Sequence, residues 1–415
     1  MSLLSQRLTQ LRKQAGQQVI EQRKTSAERN LAERLKHAQV SQQSLASQKI
    51  TDQQLADALG AKVLAEGVIY LRQQQNLNKI HGSYDASQLI GYLAQWPEPL
   101  PDKHPQSLLF IDTETTGLSG GTGTIAFLLG VSEIQGQTLI NHQLLLNGFQ
   151  GEKALLQWFN EKLANKSSLV SYNGKSFDVP LLVSRFRLHG MASPLLTLHH
   201  VDLLHWMRRM YQKYWPDCRL QTAEQYCLQF FRKDDLPGSE APEVWTELIR
   251  FGRVERLTAL CRHHCWDVLS LIALLDFAAK QVSCHSEQEF NVFATANFLV
   301  KQKRTLHAKL LLERNQQSLC SSGLYLLAMI YRREKNWSQA LSHLETLAEQ
   351  AFEPALEALA KYYEHKEKDY ETALVLTRNM INLSSRLKHE KRLLRLQRKS
   401  VAKKVDALRL STLRS

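Results

Sequence analysis

The sequence predicts an α/β protein: a sheet flanked by helices in mid-chain, a helical extension before it and an all-helical region after it. Three observations carry this reading. Short apolar runs of strand character fill residues 108–173. Helical spacing takes over from about residue 178 to 282. Beyond about residue 285 only helical patterning remains.

Taken in order, residues 1–80 read as helix with interruptions, rich in Gln, Lys, Arg and Ala, with a Gln/Ser-rich linker over 39–54. A better helix starts at Thr51, a plausible N-cap, and runs through Leu55, Leu59, Val63, Leu64 and Val68. Pro97, Pro99, Pro101 and Pro105 then break the chain, so residues 1–100 are expected to form a helical, basic, Gln-rich extension. LLFID (108–112), TIAFLLGVSEIQ (124–135) and TLINHQLLL (138–146), the last two joined at Gln135-Gly136-Gln137, predict an antiparallel meander. A helix over 152–164 and a buried strand over 168–173 follow. Then come a helix from about Asp178, a strand end near 200–202 and the helix LLHWMRRMYQKY. The order βββαβα(β)α is the layout of an RNase H-like sheet, expected over 101–282. Within 283–385, segments 323–350 and 357–381 resemble each other: Trp337 aligns with Tyr370 and Ala340 with Ala373, 33 residues apart, as in tetratricopeptide repeats. Residues 386–415 form a basic helix or tail.

A chain of 415 residues, 43% hydrophobic and 22% charged, suits two or three soluble domains. Its six cysteines have no disulfide-framework spacing, the N-terminus lacks an apolar leader, and no run is long enough to span a membrane. A cytoplasmic protein is therefore expected. The net charge of +13 is uneven: residues 101–280 balance, whereas the tail from Arg386 holds 11 basic residues against Glu390 and Asp406. Basic ends around a neutral middle suit a protein that holds a polyanion, although a solvated basic helix gives the same pattern.

Three segments carry chemistry. In FIDTETTGL (110–118), Asp112 and Glu114 are two apart on a strand and share a face. Paired carboxylates repel, and a hard cation such as Mg²⁺ or Mn²⁺ relieves that repulsion. In SYNGKSFDVPLL (171–182), the strand ends at Asn173-Gly174 and Asp178 opens a helix. Phe177 is expected to pack into the core and fix its direction, and Asn173 to orient the loop or touch substrate. In LCRHHCWDVLSLIALL (260–275), His263 and Asp267 share a helical face. A zinc site from Cys261, His263, His264 and Cys265 is disfavoured, because one helix cannot aim all four at one ion; the cysteines read as core residues. Asp202 reads as an N-cap with a metal role as the alternative, and Lys175 as a phosphate contact or a solvated loop lysine. GLSGGTGT lacks the Gly-Lys-Ser/Thr ending of a P-loop; Gly117, Gly120, Gly121 and Gly123 more simply permit a turn close to a nucleic-acid strand.

Together the three segments resemble the motifs of the DEDD (DnaQ-like) exonuclease superfamily. The third joins the histidine of one subtype to the Tyr-x3-Asp spacing of the other. With HVDLLHWMRR, DLPG (235–238), LAKYYEHKEKDYETAL (359–374) and RLLRLQRKS (392–400), the chain resembles the YprB-type ribonuclease H-like family over roughly residues 85–400. There His263 fits the HN-x2-D pattern, with His264 in place of the Asn. The resemblance implies a metal-dependent 3′→5′ exonuclease with a tetratricopeptide-like tail, associated with DNA processing and repair. It implies Asp112, Glu114, Asp178 and Asp267 as ligands of two Mg²⁺ or Mn²⁺ ions, with His263 as general base. It also implies Thr115, Gly117, Leu118, Asn173 and Lys175 at the substrate. Nucleic acid is the implied partner, and the family context makes a helicase conceivable on the helical repeats. The competing expectation is a non-catalytic nucleic-acid-binding protein or an adaptor working through those repeats.

Overall fold

A computed structural model describes residues 50–412, except 82, 95, 99, 118–122, 284–288 and 385–386, with side chains to 405. Leu118, expected at the substrate, and the extension before residue 50 lie outside the described residues. Among these residues seven strands form one mixed sheet: β1 (Lys62–Ala65), β2 (Val68–Asn76), β3 (Leu108–Thr115), β4 (Ala126–Gln135), β5 (Thr138–Leu146), β6 (Ser168–Ser171) and β7 (His199–Asp202). Their order is β1-β2-β5-β4-β3-β6-β7. The meander β3-β4-β5 is antiparallel as expected, and β6 and β7 continue it in parallel with β3.

The helical reading of the extension is corrected over its second half. Thr51 does cap a helix, α1 (Asp52–Ala58), through a capping box with Gln54. That helix ends at Gly60, whose φ of +59° favours glycine. Val63, Leu64 and Val68 then lie on strands, because Gly67 (φ +73°) turns the chain and β2 pairs with β5 over nine residues. The spacing of Leu55, Leu59 and Val63 mimics a helix, but the backbone groups of 68–76 are satisfied across the sheet.

Among the described residues, the longer helices that flank the sheet or continue from it are α2 (Leu89–Ala94), α3 (Glu152–Leu163), α4 (Asp178–Leu188), α5 (Leu203–Tyr211), α6 (Ala241–Phe251), α7 (Leu257–Ser283), α8 (Val292–Lys301), α9 (Thr305–Arg314) and α10 (Ser321–Arg333). Residues of β3 alternate between two cores. Leu109 and Ile111 meet Leu155 and Phe159 of α3 and Leu182 and Phe186 of α4. Leu108 and Phe110 meet the long buried helix α7 through Val268, Leu271 and Ile272. The second core does not stop at residue 282: Leu299, Leu311, Leu327 and Ile330 belong to it. The helical region therefore packs directly on the sheet domain.

The chain continues through α11 (Trp337–Glu349), α12 (Glu353–Tyr362), α13 (Tyr370–Leu383) and α14 (Leu387–Thr412). Trp337 and Tyr370 each open a helix, and Ala340 and Ala373 are fully buried. The basic tail helix pairs part of its charge with acids of the same chain. Arg392, Arg395 and Lys399 of α14 converge on buried Glu364 at 3.4, 2.8 and 2.9 Å, and Lys388 meets Glu357 at 2.6 Å. No helix among the described residues is long and apolar enough to cross a membrane.

Candidate active site

The sheet's parity fixes the first two carboxylates. Asp112 and Glu114 continue the face of Leu108 and Phe110, which points at α7, and sit opposite Gly130 and Leu128 of β4. The ladder shifts register between Glu114 and Thr115, so the strand ends just beyond them. Thr113 points the other way and its hydroxyl donates to Asp178 Oδ1. Asp178 is the first residue of α4, reached through a tight turn in which Asn173 adopts φ 68°. Gly174 is required there: a Cβ would lie 2.3 Å from Ser171 Oγ and 3.1 Å from Asp178 Oδ2. Asp112, Glu114 and Asp178 line one cleft of about 620 Å³, together with Thr115, Gly117, Asn173 and Phe177.

Helix α7 brings the rest. Asp267 Oδ2 lies 3.3 Å from His263 Nε2, which is 4.0 Å from Glu114 Oε1. The ligand atoms of Glu114, His263 and Asp267 all fall within 4.8 Å of one another. His264, one residue on, faces back to the sheet. Its Nδ1 accepts from Gln143 Nε2 (3.0 Å), and its Nε2–H donates to the Asp112 carbonyl (3.2 Å). Burial lowers its pKa to about 4, so it is a neutral strut beneath Asp112. This contact needs Gly130, where a Cβ would lie 2.6 Å from His264 Cε1 and 2.5 Å from Val268 Cγ2. Gly130→Ala is expected to cost about 1–3 kcal/mol by overpacking and to push α7 outward. Any nucleolytic turnover should fall with it, and a melting curve beside an activity assay checks both.

The carboxylates are electrostatically crowded. Burial, then the charges of Asp267, Asp178 and Glu114, raises the Asp112 pKa. Burial, then Asp267 and Asp178, raises Glu114 to about 8. Burial also raises Asp178, against the hydrogen bond from Thr113. Arg232 opposes this rise at Asp112 and Glu114. Arg232 reaches Asp267 Oδ1 with Nη2 (2.5 Å) and grips Glu224 through Nε (2.8 Å) and Nη2 (2.5 Å). Asp235, three residues on, accepts from His263 Nδ1 at 2.8 Å and lies 3.4 Å from Arg232. Arg232 therefore takes one oxygen of Asp267 and leaves the other facing the cluster.

Residues 109–279, which contain all four carboxylates, match a family model described as RNase_H superfamily. Over 348 residues the chain is 31% identical to "Uncharacterized protein YprB" of Bacillus subtilis (strain 168), covering 78% of this chain and 84% of that one. The chain belongs to the YprB-type RNase H-like family. A YprB-type chain thus carries a domain of the nuclease-type hydrolases, with nucleic acid as its substrate class. Among solved structures, the family B DNA polymerase from the hyperthermophilic archaeon Pyrobaculum calidifontis aligns with a TM-score of 0.37 and 14% identity, over 56% of this chain and 29% of that chain.

Several expectations change in this YprB-type site. Phe177 is not core: it is 55% exposed at the cleft. Lys175 belongs to the loop between Asn173 and Asp178, but its side chain lines a neighbouring pocket instead. Asp202 is consumed by structure, accepting from the backbone N–H of Asn173, Lys175 and Leu204 at 2.8–3.1 Å. Cys261 and Cys265 are buried thiols, each pushed up to about 12 by burial. Arg232, Glu224, Asp235 and the strut His264–Gln143 escaped sequence reasoning. The one signal was DLPG (235–238), which holds Asp235 and, at Gly238, leaves room beside His263 Nε2 for a Cβ only at 3.3 Å.

Proposed function

We propose that this chain is a metal-dependent DEDD-type 3′→5′ exonuclease, acting on DNA in preference to RNA in DNA processing or repair. One observation carries the reading: carboxylates from β3, α4 and α7 gather at one cleft end, where burial and mutual repulsion drive Asp112 and Glu114 upward and burial drives Asp178 upward. Hard oxygen donors whose repulsion Arg232 offsets only in part fit Mg²⁺ or Mn²⁺, and Asp112, Glu114, Asp178 and Asp267 would hold two such ions. When bound, the ions would activate a water and stabilise the leaving 3′-oxygen.

The chain's own groups do the rest. His263 donates Nδ1–H to Asp235, which fixes the tautomer and turns Nε2 toward Glu114 and Asp267. From there Nε2 accepts the proton of the attacking water. Arg232 holds Asp267 in place. The exposed ring of Phe177 offers a stacking face to a terminal base. Thr115, Gly117, Leu118 and Asn173 would contact the 3′ end, and the product would be a nucleoside 5′-monophosphate. His263→Ala should lower kcat more than it weakens Mn²⁺ binding, and Asp235→Asn should lower kcat in the same sense but less. The reverse order of effects for His263→Ala reassigns it as a ligand.

The hairpins α10–α11 and α12–α13, with Ala340 and Ala373 buried 33 residues apart, support a tetratricopeptide-like module for a protein partner. A helicase is one conceivable partner. To test the nuclease reading, 5′- and 3′-labelled single- and double-stranded DNA and RNA are incubated with Mg²⁺, Mn²⁺ or EDTA. The 5′-labelled strand should shorten stepwise, the 3′ label should leave at once as a mononucleotide, and EDTA should stop both. Binding without digestion in every arm favours the non-catalytic adaptor.

A further inference from the structure

Behind the loop that carries Asn173 lies a second pocket, of about 270 Å³, walled by Lys175, His199, His205, Arg209 and Phe298. Its carboxylates are already engaged. Asp202 accepts three backbone N–H groups, and Glu98 accepts Trp206 Nε1–H at 2.8 Å. His200 Nε2 pairs with Ser171 Oγ at 2.7 Å. Two nitrogens are not engaged: Arg209 Nη1 and His199 Nδ1 are sealed from solvent and meet no hydrogen-bond partner. A buried polar group left unpaired costs about 1–3 kcal/mol, and both belong to residues that line this pocket.

The guanidinium is also held in place. Arg209 Cζ lies 3.4 Å over the Phe298 ring and 4.9 Å from the Trp206 ring, which fixes its plane between α5 and α8. Burial lowers its pKa only to about 10, so it stays charged at neutrality. Lys175 adds an ammonium from the loop that separates this pocket from the cleft.

We propose that this pocket binds a backbone phosphate of the nucleic-acid strand whose 3′ end occupies the cleft. A fixed guanidinium edge, an imidazole nitrogen and a lysine around one small cavity match the several acceptor oxygens of a phosphodiester. The strand is favoured over a free ion because Lys175 and Asn173 belong to one loop, with Asn173 on the cleft and Lys175 on the pocket. The assignment of the strand's polarity rests on the nuclease reading; binding itself does not. A contact remote from the reacting bond should lower KM without raising kcat.

The test uses the full chain with Arg209→Met and, separately, His199→Leu, each checked by thermal melting. Anisotropy of a labelled single-stranded 12-mer in EDTA gives Kd and its salt dependence; steady-state digestion gives KM and kcat. Arg209→Met should raise Kd and KM about tenfold, leave kcat within about twofold, and reduce the salt slope by about 0.7, the loss of one phosphate contact on a single strand. His199→Leu should raise Kd and KM less, in the same direction. Unchanged Kd and salt slope in either folded variant would overturn the proposal. So would a loss confined to competition by inorganic phosphate or a nucleoside 5′-monophosphate, which would make the pocket a free-anion site. A wild-type chain that binds the 12-mer through Arg209 yet digests nothing sinks the nuclease reading alone.

Discussion

Asp112→Asn should lower metal-dependent hydrolysis by about 10³-fold or more, the scale on which phosphoryl-transfer sites lose rate when a charge that positions the reaction is removed. The same substitution should raise the melting temperature of the metal-free protein at pH 8. Both effects share a cause. The burial of Asp112, and then the charges of Asp267, Asp178 and Glu114 around it, oppose its ionisation. Removing its charge relieves the fold and empties the site of a ligand. Glu114 gives the pH window. Its pKa rises from 4.5 to about 8 on folding, so the folded state holds the proton more tightly than the unfolded chain. That contribution is fully present below about pH 4.5 and is lost as pH climbs through about 8. The melting temperature of the metal-free wild type should therefore fall relative to Glu114→Gln across this window. Mn²⁺ at 100 times its dissociation constant should restore about 2.7 kcal/mol, most visibly at the alkaline end. A flat difference between the two proteins from pH 5 to 8 contradicts the crowding.

Arg232→Met should be among the most destabilising single changes, at about 3–5 kcal/mol, because it strands buried charges rather than merely deleting a contact. Arg232 is only 5% exposed, and its removal leaves Glu224, Asp235 and Asp267 without their shared cation. Glu224 would keep only the Ser270 hydroxyl, itself tied to His81 at 2.8 Å. Arg232→Lys should recover part of the loss, since an ammonium supplies the charge but not the fork that grips both Glu224 oxygens. Adding Glu224→Met to Arg232→Met should also recover part, because an apolar pair is less costly than an orphaned acid. Denaturant titrations of the three variants measure this. A loss under about 1 kcal/mol for Arg232→Met, or no recovery in the double variant, would remove Arg232 from the architecture of the site.

Much of the site was legible because it obeys local periodicities. Asp112 and Glu114 share a face by strand alternation, and His263 and Asp267 by one helical turn. The meander was legible because Gly136, at φ +61°, closes a tight turn between two apolar runs. What escaped depends on partners far along the chain. β1 and β2 read as helix because Leu55, Leu59 and Val63 fit helical spacing, while the deciding force is pairing with β5 some seventy residues on. Arg232 looks like any charge in FRKDD until Asp267, 35 residues away, folds against it. Phe177 looks like core by type, yet its place at the α4 entrance leaves it on the cleft. The basic tail suggested a polyanion, but Glu364 claims Arg392, Arg395 and Lys399 from within the protein.

The most direct measurement is Mn²⁺ uptake by the full chain, followed by electron paramagnetic resonance at pH 8, for the wild type and for Asp112→Asn, Glu114→Gln, Asp178→Asn and Asp267→Asn. Wild-type protein should take up the ion, and each variant should bind it at least about tenfold more weakly while melting as a folded protein. Equal Mn²⁺ uptake by the wild type and all four folded variants would mean that these carboxylates do not act as one cation site.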